Sequence, residues 1–571
     1  MRRFRLFNLA LACALLINFP AARAQEAQQT KAPNAPASAA APATSAALPA
    51  AALEAANAIT AARLSEHLHF VASDAMGGRD TPSKGLDDTA KFLADNLARL
   101  KIKPAGDDGT YFQKIELVSF KVDPAQSSFR LQDRAFKFGE DFLVGAGRTT
   151  GASGALVYAG HGYVVKSKNI NAYNGLDVRD KIVIAAAGVL PSGMTRADLK
   201  GKAGEGDWDD AESYARKNGA KALIRIPRNF ERTWRFGRFM ADRDNYQVTR
   251  FIPAGSGAAA AAGELLTAVP SAALLDALFA GEKRAGSDIL KGIVAGDAGE
   301  SFSLGAGKRV DLSVSVAAKK AMTQNVVGVL EGSDANLKKE YVAIGAHYDH
   351  VGVGQAVNGD TIYNGADDDG SGTVGVLAIA EAFARGAVRP KRSVLFVWHC
   401  AEEKGLWGSE YFTKFPTVPL KQIVAQLNMD MIGRSKPEGD TKTANGNLSG
   451  SNELYVIGSK MMSTELGALS ERVNGAYLNL NFNYKYDDPV DPNRFFFRSD
   501  HYNYAQQGIP IIFYFDGVHE DYHRPSDSPD KIDYRKMEKI TRTVFLTAAE
   551  IANAPTRPRV DKQLPQELSG Q

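Results

Sequence analysis

Two cysteines in 571 residues leave little scope for disulfide chemistry. Cys13 lies in an apolar run at the amino terminus, so a chain trimmed there keeps only Cys400 and can form no intrachain bridge. Its stability must come from a buried core. Charge of one sign is equally scarce: 68 Lys and Arg face 65 Asp and Glu, a net +3. That balance gives no electrostatic reason to expect nucleic acid or an anionic membrane surface as a partner. Long hydrophobic runs are confined to "LFNLALACALLINF" near the start. This run falls short of the roughly 20 apolar residues that cross a bilayer, so no transmembrane segment is expected.

The same run follows the basic "MRRFR" and precedes "PAARAQ", a small-residue cleavage pattern, so residues 1–24 read as a secretory signal. The expected location is periplasmic or secreted. Residues 25–60, dominated by Ala and Pro with few large apolar side chains, read as a linker. Apolar residues at helical spacing then begin with Leu64, Leu68 and Val71, and continue in a second helix through Leu86, Ala90, Leu93, Leu97 and Leu100. "SDAMGGRDTPSKG" between them is a turn-rich loop. Composition changes at 141–307, where strand-like runs alternate with Arg- and aromatic-rich loops such as "FERTWRFGRF"; this stretch reads as an inserted domain. The main domain is accordingly expected over 61–140 and 308–555, with a flexible tail at 556–571.

Four apolar runs of strand length in the C-terminal half each end in chemistry-bearing residues. "YVAIGA" leads into His347 and Asp349, "SVLFVWHCA" into Glu402 and Glu403, "IVAQLNM" into Asp430, and "IPIIFYF" into a loop with Tyr522 and His523. In open α/β sheets ligands bind beyond the carboxyl ends of the strands, so the four motifs would share one crevice. A fifth segment, "NGADDDGSGTVGVLAIAEAFARG", places Asp367, Asp368 and Asp369 just ahead of a helix. One Asp there would be an N-cap, favoured by the helix dipole. Three exceed what capping needs.

Histidines and carboxylates without cysteine make a nitrogen and oxygen set suited to zinc or a similar divalent ion. Several carboxylates crowded into one crevice repel, and two ions neutralise them better than one. Of two adjacent glutamates at a strand end, one can bind metal while its neighbour stays free to take a proton from water.

The order H-x-D, D-D-D-G-S-G, E-E-K-G-L-x-G-S, N-x-D-M-I-G and Y-H-x-x-x-D resembles that of the co-catalytic dizinc aminopeptidases related to bacterial leucyl aminopeptidase, with glutamate carboxypeptidase and glutaminyl cyclase as distant kin. The resemblance extends from about residue 62 to 552 and implies an α/β fold: a mixed-sheet zinc-peptidase domain sandwiched by helices, with 141–307 as a β-rich protease-associated domain. It implies two zinc ions, with His347 and Asp430 holding the first, Glu403 and His523 the second, and Asp368 bridging them. Glu402 would be the general base, Asp349 would orient the imidazole of His347, and Tyr522 would hydrogen-bond the developing oxyanion. Peptides would be the substrates. Asn364, where the family often has proline, and Cys400-Ala401, where small residues are usual, depart from the pattern without touching a ligand.

Other features have plainer readings. His399, beside Trp398 in an apolar run, is expected in the core, and Cys400 as a small buried hydrophobe. His350 and His519 are either neighbours of the site or ordinary loop residues. Arg498, Asp500 and His501 are open between a pocket role and helix capping. Asp487, Asp488 and Asp491 read as a solvated loop. The inserted domain has no catalytic set, with His161 its only histidine, and reads as a lid or substrate-positioning element. The metal set does not encode which end of a peptide is recognised, so a carboxypeptidase or other amidohydrolase is the alternative. A non-catalytic receptor on the same fold is a third reading, disfavoured by the intact Glu402 and five ligands.

Overall fold

The computed structural model describes residues 47–145, 149–241, 243–252 and 265–564. The expected signal segment and the first part of the expected linker lie outside the described residues.

The main sheet is built from β1 (Phe112–Val122), β2 (Tyr246–Val248), β3 (Val316–Leu330), β4 (Tyr341–His347), β5 (Ser393–His399), β6 (Ile423–Met429), β7 (Glu453–Ile457), β8 (Asn481–Asn483) and β9 (Ile511–Phe515). Its order is β2-β1-β3-β5-β4-β6-β9-β7-β8, with Lys103–Pro104 pairing on β3. The centre is parallel, β5 with β4, β4 with β6 and β6 with β9, and antiparallel strands flank it on both sides. This is the mixed α/β architecture expected from the sequence. Its consequence for function is that β4, β5, β6 and β9 all end along one edge.

Helices cover both faces, which is why the central strands are apolar throughout rather than alternating. Val342, Ile344 and Ala346 of β4, with Val394, Phe396 and Trp398 of β5, face one core shared with the helices Ala61–Val71, Lys84–Arg99, Gly372–Arg385 and Tyr534–Asn553. Ala343, Leu395 and Val397 face the other, with Phe412 and Tyr504 from two short helices. Each fully buried large aliphatic or aromatic side chain contributes about 1.5–3 kcal/mol.

A second sheet is formed by Ser128–Leu131, Arg134–Lys137, Phe142–Val144, Thr150–Tyr158, Ile182–Ala187, Ala222–Pro227, Leu266–Pro270, Phe302–Ser303 and Arg309–Val314. It has its own core around Phe129, Phe142, Leu156, Ile184, Ile224, Leu275 and Ile289. Sheet membership therefore departs from the expected boundaries. Residues 128–137 and 309–314, assigned from composition to the main domain, pair in the second sheet. Conversely β2, inside the expected insert, pairs with β1 of the main sheet. Alternation along a strand reports that one face is buried and is silent about which sheet the strand joins.

Two further expectations are corrected. Residues Ala50–Asn57, in the expected linker, form a helix whose Ala52, Ala55 and Ala56 are buried in the main core with Leu48 and Ile59. Alanine is the best helix former, and its small side chain lets the helix settle closely on its neighbours with few large apolar groups. The expected flexible tail is anchored as far as 564: Arg559 N–H donates to Glu465, Thr464 N–H to Asp561, and Leu564 packs on the core.

The helix Gly372–Arg385 is held to Ala61–Val71 by Glu381, whose carboxylate accepts from Arg63 Nε at 3.3 Å and Nη2 at 2.8 Å, with His67 Nε2 at 3.4 Å. Burial alone would raise this carboxyl, but His67 and Arg63 bring it down to about 2 from the ordinary 4.5. A depressed carboxyl contributes stability that is complete above the unfolded value and lost as pH falls toward the folded one. Glu381→Gln should cost about 1–3 kcal/mol at neutral pH. In urea titrations from pH 6 down to 3, the difference from the parent should shrink below about pH 4.5; a constant difference would count against the ion pair as its source.

Candidate metal centre

His347 closes β4 with its ring buried. Its Nε2 lies 3.3 Å from Asp368 Oδ1, 3.6 Å from Asp430 Oδ1 and 3.9 Å from Glu402 Oε2. Asp430 follows β6 directly. On the far side of Asp368, its other oxygen Oδ2 lies 3.0 Å from His523 Nε2, which is also 3.0 Å from Glu403 Oε2. Asp368 thus turns one oxygen to each of two groups. Five residues picked out by the sequence pattern, His347, Asp368, Glu403, Asp430 and His523, meet at the carboxyl edge of the parallel strands.

The backbone is bent to achieve this. Ala401, immediately before the glutamates, Met431, immediately after Asp430, and His523 itself all have left-handed φ, at 56°, 55° and 54°. Such conformations cost of order 1–3 kcal/mol each in non-glycine residues and persist where the surroundings over-determine them. Part of that restraint is Asp349. Its carboxylate accepts the N–H of Glu402 at 3.0 Å and of Glu403 at 3.4 Å. His347 Nδ1 instead meets the Asp349 backbone carbonyl at 3.2 Å, with the carboxylate at 3.6 Å. Asp349 therefore holds the main chain of both glutamates through its carboxylate and meets the His347 imidazole through its carbonyl.

The three consecutive aspartates have separate partners. Asp367 accepts from Gly433 N–H at 2.7 Å and sits 3.1 Å from His519 Nε2. Asp369 accepts backbone N–H groups of His347, Gly372 and Met431. It lies close to His347 and Asp430, but both its oxygens are taken, so it caps and braces. The middle residue, Asp368, keeps both oxygens for the centre while Asp527 accepts the N–H groups of Asp367 and Asp368.

Unpaired buried atoms define where ions would go. His347 Nε2, Asp368 Oδ2, Glu403 Oε1 and His523 Nε2 are buried without a hydrogen-bond partner, although a buried polar atom without one is costly. A divalent cation on each side of Asp368 would satisfy all four, and the imidazole and carboxylate donors suit zinc. Protonation follows the same crowding. Burial would lower His347 and His523, yet Asp430 and Glu402 around the first, and Glu403 and Asp368 around the second, hold both well above the usual histidine value.

Glu402 stands apart from both groups. Its side chain is 11% exposed. Burial pushes its carboxyl well above the ordinary glutamate value, with Glu403, Asp430 and Asp500 adding to the rise against the pull of His347. Tyr522 stacks on His523 with ring centroids 3.9 Å apart, and burial holds its hydroxyl well above the usual tyrosine value, so it remains a donor.

The remaining histidines separate cleanly. His399 is buried, 3.0 Å from Tyr504 Oη and 3.4 Å from Asp500. His501 donates to Phe496 O at 2.8 Å and stacks on Phe513; Asp500 makes no capping bond to the helix His501–Gln506. Asp500 thus does not cap, and its buried carboxylate acts on Glu402 and His347 by its charge. One buried residue escaped sequence reasoning: Arg79, which donates to the carbonyls of Val71, Tyr348, Asn364 and Gly365 and ties the His347 loop to the aspartate loop. Its only signal was its place in a glycine-rich loop.

Residues 325–548 match peptidase family M28. Leucine aminopeptidase 2 of Arthroderma otae is 26% identical over 302 residues, 48% of this chain and 54% of that protein. The probable leucine aminopeptidase 2 of Aspergillus oryzae is 32% identical over 210 residues, 37% of this chain and 36% of that protein. The chain thus spans about half the length, or less, of these curated relatives. Among solved structures, an aminopeptidase from Aneurinibacillus sp. strain AM-1 superposes with a TM-score of 0.51 at 17% identity, covering 89% of this chain and 98% of that one; the likeness is one of fold.

Proposed function

From the match of residues 325–548 to peptidase family M28, we propose that this chain is a zinc-dependent aminopeptidase removing N-terminal residues from peptides. The observation that carries the reading is Asp368, one oxygen toward His347 and the other toward His523, with Glu402 free beside them. Among the curated relatives are leucine aminopeptidase 2 of Arthroderma otae and the probable leucine aminopeptidase 2 of Aspergillus oryzae.

His347, Asp430 and Asp368 would hold one zinc ion, and Glu403, His523 and Asp368 a second. When bound, such ions polarise the scissile carbonyl and lower the pKa of water at the site. Glu402 takes the proton from the attacking water and returns it to the departing amine. The raised affinity of its carboxyl for a proton favours the first transfer. Tyr522 donates its hydroxyl to the carbonyl oxygen as negative charge develops there. Asp349 keeps Glu402 and Glu403 pointing apart, so that ligation and proton transfer do not compete for one carboxylate.

The second-sheet region belongs to the same proposal as a protease-associated, substrate-positioning element. Supporting it, Arg243, in the segment that leads from the second sheet to β2, reaches Asp80 and the Val353 carbonyl of the main domain, and Asp80 also pairs with Lys404 next to the two glutamates. A periplasmic or secreted location, read from residues 1–24, is likewise proposed. Among the described residues, no helix is long and apolar enough to cross a membrane.

The test compares hydrolysis of a leucyl chromogenic amide with its N-acetylated form by the zinc-loaded protein. Cleavage of the free amine alone is expected. Equal cleavage of both forms would replace the reading with a general amidohydrolase, and cleavage of neither, together with release of C-terminal residues from peptides, with a carboxypeptidase.

A further inference from the structure

Resting on the two-ion reading above, we propose that His350 is a further protein ligand, giving the ion beside Glu403 and His523 four protein ligands against three for the ion beside His347. His350 Nδ1 lies 2.9 Å from Glu403 Oε1 and 3.7 Å from Asp368 Oδ2. With His523 it completes a set of four side chains whose donor atoms all fall within 4.8 Å of one another.

The separations are those of ligands around a common point. Metal-ligand bonds of about 2.0–2.1 Å put the edges of a tetrahedron at about 3.3 Å. The contacts of His350 at 2.9 and 3.7 Å and those of His523 at 3.0 Å bracket that edge. A mere hydrogen bond between His350 and Glu403 does not describe the pair: both His350 Nδ1 and Glu403 Oε1 are buried without a hydrogen-bond partner despite their proximity. Both are satisfied at once by a cation between them.

His350 is also built into place. Its N–H donates to the Arg79 carbonyl at 3.1 Å. Its ring lies against Gly365, where an added Cβ would come within 2.4 Å of His350 Cγ, and Gly365 has a left-handed φ of 58°. Any other residue at 365 would both strain the backbone and displace the imidazole.

The other group gains no such addition, because both oxygens of its fourth neighbour, Asp369, are engaged by backbone N–H groups. Sites closed by four protein ligands are typically structural, whereas catalytic sites keep a position open. The two sides of Asp368 are thereby unequal: the His350 side retains its ion, and the His347 side, next to Glu402, exchanges it.

The experiment loads the metal-free full chain with one equivalent of zinc and counts imidazoles per zinc from X-ray absorption fine structure. Two imidazoles are expected in the parent, from His350 and His523, and one in His350→Ala. A chelator competition titration should show two zinc-binding steps, with the tighter one weakened at least about 10-fold by His350→Ala or His350→Gln. One imidazole per zinc in the parent, or a tight step unchanged in a folded variant, would overturn the assignment. Because the parent spectrum alone decides the first point, misfolding of a variant leaves the test intact. Failure of the leucyl-amide comparison with both zinc steps present would overturn the aminopeptidase reading and leave that of His350 standing.

Discussion

Glu402→Gln should lower kcat about 10²–10⁴-fold, the range that a positioned proton-transfer group supplies, while zinc content and KM stay close to those of the parent. The separation follows from the geometry. Glu402 lies 3.9 Å from His347 and belongs to neither ligand group, so its loss does not disturb the ions. Its main-chain N–H is held by Asp349 in either form, so the amide occupies the position of the carboxylate but cannot accept the proton. The substitution also removes a negative charge from the company of Glu403, Asp430 and Asp500. The thermal midpoint of the metal-free protein should therefore hold or rise. A variant with full zinc content and kcat within about threefold of the parent would show that another group moves the proton. Metal analysis, steady-state kinetics and a thermal melt on one preparation decide the matter.

Much of the centre was legible because its residues sit where strands end. An apolar run that stops at His347, at Glu402 and Glu403, or at Asp430 announces a parallel strand whose carboxyl end faces a ligand, and the sheet brings those ends to one edge. The fold class was legible for the same reason. What stayed hidden depends on contacts between distant segments. Arg79 clamps two loops from nearly three hundred residues away, and only the folded chain brings its four carbonyl acceptors together. His350 stayed open between a neighbour of the site and an ordinary loop residue, because nothing in "HYDHVG" tells which way its ring turns. The resemblance already singled out Asp368 within the Asp trio; what it left open was the task of its neighbours, and only their partners show that Asp367 and Asp369 brace the loop. The crossings between sheets, at 123–127 and at 315, were invisible to periodicity, since a strand that leaves one sheet for another keeps its alternation. The Ala50–Asn57 helix was missed for a different reason: its buried face is mostly alanine, and Leu48, Leu53 and Ile59 are too few to stand out in an Ala- and Pro-rich stretch.

The largest effect is expected at Asp368, the one residue that serves both groups. Asp368→Asn replaces a bridging carboxylate by a neutral amide with a single acceptor oxygen, so at most one ion keeps its contact. Zinc content should fall from two per chain to one or fewer, and kcat/KM should drop by about 10³-fold or more, since carbonyl polarisation and water activation are lost together. Asp430→Asn is the informative comparison. Asp430 lies 3.6 Å from His347 Nε2 and belongs to the His347 group, not to that of His523, so its loss should empty the His347 side and leave one tightly held zinc beside Glu403 and His523. Two variants that each remove one carboxylate charge then differ in metal content, which a general effect of charge or misfolding would not produce. The amide also leaves His347 and His523 with less negative charge to hold them above the usual histidine value, so metal-free Asp368→Asn should bind fewer protons near neutral pH than the metal-free parent. Retention of two zinc ions with activity within about tenfold of the parent would mean that Asp368 does not bridge, and the two groups would then have to be read as independent sites.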